Sequence, residues 1–390
     1  METAATPLKI LICAGEPSGD LHAAALMASL RNALPRPIHF RGFGGDRMRA
    51  GGAELLYHTD QTALIGITPV LLNLPFLLGM MRRLKREILT WKPDLVLTVD
   101  YPGMNLRLAA FAHRNGFLNV HYICPQVWAW HRGRIPKIAR MMDQLLCIFP
   151  FEPELFRATG LDVRFTGHPL VDRAAETRAE TPLPLPWSGR HKVALLPGSR
   201  ASEITRILPR LLKAARLLQD QLDGACSFII PAASPKIRRL AERVIAESPE
   251  KPDRLAFVDG QARQVLAQAD AAAVTSGTAT LEACLMRCPT VLVYAASLVT
   301  YCAARLLVKG VTHLGLANII AGRTVMPELL QQAFTPERLA EQLRLYLTDP
   351  AIRAQTLADL NATNAKLGAG GATDRAAAAI GELMEKRRER

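Results

Sequence analysis

Two short turns in the second half of the chain carry residue types suited to holding a phosphate. Pro197-Gly198-Ser199-Arg200 follows the apolar run Lys192–Leu196, and Ser276-Gly277-Thr278 follows Ala271–Thr275. In each turn a glycine lets the backbone approach an anion, and the helix expected next offers unpaired amides at the positive end of its dipole. Arg200 can add bidentate, charge-assisted hydrogen bonds. Glu282 falls in the early turns of the helix after Ser276, where a carboxylate can accept from both hydroxyls of a ribose. Each turn alone also reads as an ordinary connection, with Ser276 or Thr278 as an N-cap and Glu282 favoured by the dipole. Together in one half-chain they point to a nucleoside diphosphate. No glycine-spaced GK[ST] occurs and no GxGxxG follows the first apolar run, which argues against ATP and NAD.

In the first half, Glu16, Asp20 and Asp100 stand at or just beyond the ends of apolar runs. Such positions are where ligands bind in open α/β sheets, and a carboxylate there can act as general base on an alcohol. Asp20 also reads as a helix cap, and Asp100 as a turn acid before Pro102. His22, His121, His131 and His168 are further bases by type. Their spacing matches no metal signature, so no metal and no cofactor is expected, and each reads as a hydrogen-bonded structural histidine.

These residues need elements to carry them. Leu8–Cys13 reads as a strand, Ala14–Asp20 as a glycine turn and Leu21–Leu34 as a helix stopped by Pro35, the opening unit of a doubly wound sheet. Asp94–Asp100, Val120–Ile123 and Gln144–Phe149 are further strands. The proline-rich Thr181–Gly189 is the best linker. After it the pattern restarts with Lys192–Leu196, the Pro197–Arg200 turn, and a helix with Ile204, Ile207, Leu208, Leu211, Leu212 and Ala215 on one face. Ser227–Pro231, Ala256–Val258, Ala271–Thr275 and Thr290–Tyr294 supply later strands. The expected fold is α/β with two Rossmann-like domains facing across a cleft: residues 1–185, and residues 190–368 holding the nucleotide sugar. A last helix over 373–390 is expected to pack back on the first domain.

With 390 residues and a formal net charge of +13, the chain should attract anions, whether small phosphates, acidic membranes or nucleic acid. No basic patch interleaved with aromatics is evident, so nucleic acid ranks last. Seven scattered cysteines without a CxxC suggest neither a disulfide framework nor zinc, and fit a reducing cytosol. Met1–Lys9 does not read as a signal peptide, and no apolar run is long enough for a membrane span. The apolar stretch 64–78, broken by Gly66, Pro69 and Pro75, runs into Arg82-Arg83-Leu84-Lys85-Arg86. Leu71, Leu72, Leu74, Phe76 and Leu77 beside Arg82 and Arg83 suit the face of an anionic membrane. Buried core followed by a solvated helix face fits the same residues.

AGEPSGD at 14–20, GFGGDRM at 42–48, VDYPGMNLRLA at 99–109, PQVWAW at 125–130 and GHPLVD at 167–172 resemble the lipid-A-disaccharide synthase family. So do LLPGSR at 195–200, SGTATLE at 276–282, LANII at 316–320 and PELLQ at 327–331. The resemblance implies a GT-B fold and an inverting transfer without metal. The donor would be UDP-2,3-diacylglucosamine and the acceptor 2,3-diacylglucosamine 1-phosphate (lipid X), whose 6-hydroxyl attacks C1. It implies Asp100 as the leading catalytic carboxylate, Arg200 and Glu282 at the nucleotide, and Asn318 in the cleft; Glu16 and Asp20, at the neighbouring strand end, stand in reserve by position alone. It places the protein in the cytoplasm, peripherally on the inner face of the membrane; a homodimer is left open. A UDP-sugar transferase or epimerase with a soluble acceptor shares the second-half motifs but gives segment 64–86 no role. A non-catalytic membrane- or nucleic-acid-binding protein would need neither Asp100 nor UDP.

Overall fold

A computed structural model of the chain describes residues 6–61, 74–129, 132–296 and 312–389. The described residues form two compact units, Met1–Pro169 with Gly368–Arg390, and Leu170–Leu367. Each is built on a wholly parallel sheet covered by helices.

The first sheet holds β1 (Leu8–Ala14), β2 (Ile38–Gly44), β3 (Glu54–His58), β4 (Leu95–Val99), β5 (Asn119–Tyr122), β6 (Gln144–Cys147) and β7 (Asp162–Phe165), in the order β3-β2-β1-β4-β5-β6-β7. The order reverses between β1 and β4, where Ala14 lies beside Val99. That switch point is where such sheets bind ligands. Strands β1 and β4 read as continuous apolar runs because helices cover both faces of a parallel sheet.

The second sheet repeats the winding with β8 (His191–Leu196), β9 (Cys226–Ala232), β10 (Leu255–Asp259), β11 (Ala271–Thr275), β12 (Thr290–Tyr294) and β13 (Glu328–Leu330), ordered β10-β9-β8-β11-β12-β13. Its long helix Ala201–Gln221 buries Ile204, Ile207, Leu208, Leu211, Leu212 and Ala215 against Val193, Leu195 and Phe228.

The units part at residues 169/170, earlier than the proline-rich segment expected to divide them. The reason lies in the helix Leu170–Ala179 and the segment after it, which are knitted into the second unit. Arg178 donates to the Leu285 carbonyl at 2.8 Å, Gln264 to Glu180 at 2.8 Å and Gln268 to the Leu183 carbonyl at 2.9 Å. The last helix, Ala372–Arg388, lies in the first unit against the helix Pro17–Ala33. There Ser29 donates to Asp374 at 2.6 Å, and Arg164 pairs with Glu382 at 2.6 Å.

The helix Leu74–Trp91 buries Met80, Leu84 and Ile88, one face at fourfold spacing, in the first unit's core. Leu74, Phe76, Leu78 and Leu89 are exposed, as are Arg82 and Arg83. Leu77 is a correction to the apolar surface expected from sequence, because it packs partly buried against that core. Leu71 and Leu72, with most of the stretch 64–78, lie outside the described residues. Among the described residues no helix is long and apolar enough to cross a membrane.

Candidate active site

In the second unit a cavity of about 430 Å³ opens at the carboxyl ends of β8, β9, β10 and β11. Both phosphate-type turns line it: Gly198, Ser199 and Arg200 from one, Ser276, Gly277 and Thr278 from the other, with Glu282 on the helix Thr278–Leu285. Gly277 has φ 144°, and a Cβ built on it would meet nothing within 4 Å, so this backbone faces open space. The Thr278 and Ala279 amides that begin the following helix border that space, while the Thr280 amide already donates to the Gly277 carbonyl at 3.1 Å. A small anion can approach here without a side chain in the way.

The other turn is built differently from the expectation that its amides stand ready for phosphate. The Glu203 carboxylate accepts the Ser199 amide at 3.0 Å and the Arg200 amide at 3.2 Å. It also accepts Arg200 Nη1 at 3.1 Å. A Cβ on Gly198, which has φ 113°, would lie 2.2 Å from the same carboxylate, so only glycine leaves room for it. Glu203 therefore fills the amide nest itself, as the third-position acid of a capping box. What remains for a ligand is the Arg200 side chain, 69% exposed.

Glu282 is half-buried beside Arg263, whose Nη1 lies 3.5 Å from Oε1. Burial pushes its carboxyl up from the usual range, while the charges of Arg263 and Arg173 hold it down. Asn318 does not line the cavity. It is fully buried, with Nδ2 donating to the Met326 carbonyl and Glu328 Oε1, both at 2.8 Å, and Oδ1 accepting the amides of Val325 at 2.8 Å and Met326 at 2.9 Å. Its amide joins the helix Leu316–Ala321 to the approach to β13, so its place in the nucleotide-sugar set is corrected to a structural one.

In the first unit, Asp100 stands one residue past β4, at the sheet's switch point. Its amide donates to the Tyr122 carbonyl at 2.9 Å. Asp100 and Tyr101 both have φ 49°, a left-handed pair that non-glycine residues rarely adopt. Asn105, buried in the helix Pro102–Arg114, holds the bend. Its Nδ2 lies 3.1 Å from the Cys13 carbonyl, 3.0 Å from that of Val99 and 2.7 Å from that of Asp100. Burial raises the Asp100 carboxyl above the ordinary range, opposed by the Tyr101 amide. Glu16 closes the turn after β1 as the exposed N-cap of the helix Pro17–Ala33. Its charge contributes, after burial, to raising the Tyr101 hydroxyl. The Tyr101 ring lies where a Cβ on Gly15 would be, 2.1 Å away.

Asp20 is elsewhere engaged. Its carboxylate, 5% exposed, accepts the amides of Gly45 at 2.7 Å, Arg47 at 3.0 Å and Met48 at 3.1 Å. It caps the helix Asp46–Ala50 from outside, and both oxygens are used, which removes it as a reserve base. His121 is buried with Nδ1 2.7 Å from Thr98 Oγ1, and burial lowers it to about 4. His168 packs on Phe149, ring centres 5.3 Å apart, and is lowered to about 3 by burial and by His22. His131 lies outside the described residues.

Among the described residues one cluster has metal-ligand chemistry: Cys124, Cys147 and Glu152, with ligand atoms within 4.8 Å of one another. The hydrogen bond with Cys147, and then burial, raises the Cys124 thiol; burial raises Cys147 and moves Glu152 up to about 8. Cys147 closes β6 and Glu152 opens the helix Glu152–Phe156, and the Glu152 carboxylate accepts the Phe149 amide at 3.0 Å.

Sequence reasoning missed Glu203, Asn105 and Arg263. The first had a legible signal, an acid at the third position of a helix after a turn. Arg263 acts through partners distant in sequence, and Asn105 joins the nearby Val99 and Asp100 carbonyls to the distant Cys13 carbonyl, a geometry that left no trace in residue spacing.

A family model described as lipid-A-disaccharide synthetase matches residues 10–379. The lipid-A-disaccharide synthase of Syntrophus aciditrophicus is 41% identical, covering 97% of this chain and 98% of the relative. Among solved structures, a UDP-GlcNAc 2-epimerase from Neisseria meningitidis bound to UDP-GlcNAc aligns with TM-score 0.62 at 12% identity, covering 97% of this chain and 100% of that one. The calicheamicin glycosyltransferase CalG4 aligns with TM-score 0.60 at 14% identity, covering 98% and 99%. At such identities the structures speak for the GT-B fold alone, whereas the family match and its relative extend over nearly the whole sequence: the chain belongs to the lipid-A-disaccharide synthase family of glycosyltransferases.

Proposed function

We propose that the chain joins UDP-2,3-diacylglucosamine to 2,3-diacylglucosamine 1-phosphate. The acceptor O6–C1 bond forms as the C1–O bond to UDP breaks, with inversion, giving a β-1,6-linked disaccharide 1-phosphate and UDP. The observation that carries this reading is the cavity in the second unit, where Arg200, the Gly277 turn and Glu282 converge. The open backbone at Gly277 and the Arg200 guanidinium would hold the diphosphate and stabilise it as it leaves. Glu282 would accept from the ribose hydroxyls.

In the first unit Asp100 would take the proton of the acceptor 6-hydroxyl, with Glu16 as the reserve. Its position past β4, its strained backbone and its burial support that role. Because both substrates carry acyl chains, the reaction belongs at a membrane surface. The exposed Leu74, Phe76 and Leu78 beside Arg82 and Arg83 favour peripheral attachment to an anionic bilayer, on the cytoplasmic side. The test is release of UDP from UDP-2,3-diacylglucosamine with and without lipid acceptor. Acceptor-dependent release supports the proposal; conversion of the UDP-sugar without release would replace transfer by epimerisation.

A further inference from the structure

The Glu282 carboxylate has a support that no motif indicated. Arg263, on the helix Ala262–Gln268, donates through Nε to Thr177 Oγ1 at 3.2 Å while its Nη1 faces Glu282 Oε1 at 3.5 Å. Thr177 is buried on the helix Leu170–Ala179, and its hydroxyl donates to the Arg173 carbonyl at 3.0 Å. One edge of the guanidinium is thus tied to a rigid neutral partner and the other is turned to Glu282. The contact is a single long one. A close bidentate pair would consume the carboxylate's acceptor sites, whereas this arrangement steers the group and leaves it able to accept from a ligand. Glu282 lines the cavity with its side chain 19% exposed. Arg173, from the helix that carries Thr177, adds a second positive charge near it.

Two neighbouring hydroxyls donate best to a carboxylate held with both oxygens accessible and without a proton of its own, when all its lone pairs accept. Burial works against that state here, and the two arginines work for it. We propose that Arg263 is a positioning residue for the nucleoside diol: tethered to Thr177, it holds the Glu282 carboxylate in the orientation that receives both ribose hydroxyls of a nucleoside diphosphate. The inference rests on the cavity being the UDP seat, and it adds the group that decides whether the ribose is recognised.

The measurement is calorimetric titration of the full chain, native and Arg263→Ala, with UDP and with 2′,3′-dideoxy-UDP. The substitution should weaken UDP by about 5–30-fold, the range of a lost charge-assisted contact. It should change dideoxy-UDP by less than about 2-fold, because that nucleotide has no diol to lose. Equal weakening of both nucleotides overturns the proposal, since Arg263 would then touch the diphosphate or base, or merely support the fold. No weakening of either overturns it as well. If the native chain binds neither nucleotide, the UDP reading falls and takes this one with it. Thermal unfolding of the variant is followed in parallel. Should Arg263→Ala fail to fold, Arg263→Gln, which keeps most of the side-chain length without the charge, carries the same comparison with the same outcomes.

Discussion

The carboxylate of Glu203 turns back onto Arg200, accepting that residue's backbone amide at 3.2 Å and its guanidinium Nη1 at 3.1 Å. An acid thus sits inside a turn whose sequence advertises an anion site. The Arg200–Glu203 ion pair is largely solvated on the arginine side and adds little by itself. The two amide bonds matter more, because they shape the turn. Glu203→Ala should lower stability by about 0.5–2 kcal/mol, the cost of a lost cap, and weaken UDP by loosening Arg200. Glu203→Gln keeps an acceptor oxygen and should stay closer to the native protein in thermal unfolding. Equal melting temperatures for native and Glu203→Ala would show that the cap carries no weight.

Arg200→Ala and Glu282→Ala should each weaken UDP by about 1–3 kcal/mol through lost charge-assisted hydrogen bonds. Calorimetry with UDP decides. Unchanged affinity in both variants would take the nucleotide out of this cavity.

For Asp100→Asn, turnover should fall by about 10²–10⁴-fold while UDP affinity holds, since shape and polarity persist and only the proton acceptor is lost. Its carboxyl is raised by burial, so the base becomes competent at a higher pH than an ordinary aspartate, and native activity should rise with pH through that displaced acid limb. The sign for stability is opposite. A raised folded-state value means the protonated form is favoured by folding, so this residue's contribution is present at low pH and lost as pH rises through the folded value. Asp100→Asn should therefore be at least as stable as the native protein at neutral pH. Normal turnover in this variant, with loss in Glu16→Gln, would move the base to Glu16.

Replacing Leu74, Phe76 and Leu78 together with Ser should reduce binding to anionic vesicles and leave UDP affinity unchanged, with only a small fall in melting temperature from the lost edge contact of Phe76 with Tyr57. Vesicle flotation is the readout. Met80→Ser or Leu84→Ser, on the buried face of the same helix, should instead destabilise the fold. If the triple variant melts early, those residues are core.

Turnover should survive EDTA, since Arg200 and the open helix end at Gly277 can meet the charge of the leaving diphosphate. Loss of activity in EDTA with recovery in magnesium would assign that role to a metal.

Local chemistry was enough to read β1, β4, β8, β11 and β12 from sequence, because parallel strands buried on both faces are continuous apolar runs. The two glycine turns were legible for a similar reason: glycine where φ is positive, and a helix following a strand, are local facts. Strands β2 and β3 were not read, since Ile38–Gly44 is interrupted by His39 and Arg41, and Glu54–His58 is short, little buried and bounded by polar residues. The carboxylates divide along the same line. Asp100 stands where the sequence puts it, past a strand end and before a helix opened by Pro102, and both are written in adjacent residues. Asp20 and Asn318 have side chains no less suited to a ligand, yet their partners are backbone groups at Gly45–Met48 and Val325–Met326, supplied only when the chain folds. Whether a polar side chain faces a ligand or is spent inside depends on which distant backbone amide reaches it first. Residue type and spacing do not carry that information; packing decides it, as it does for Arg263, which meets Thr177 and Glu282 only in the folded unit.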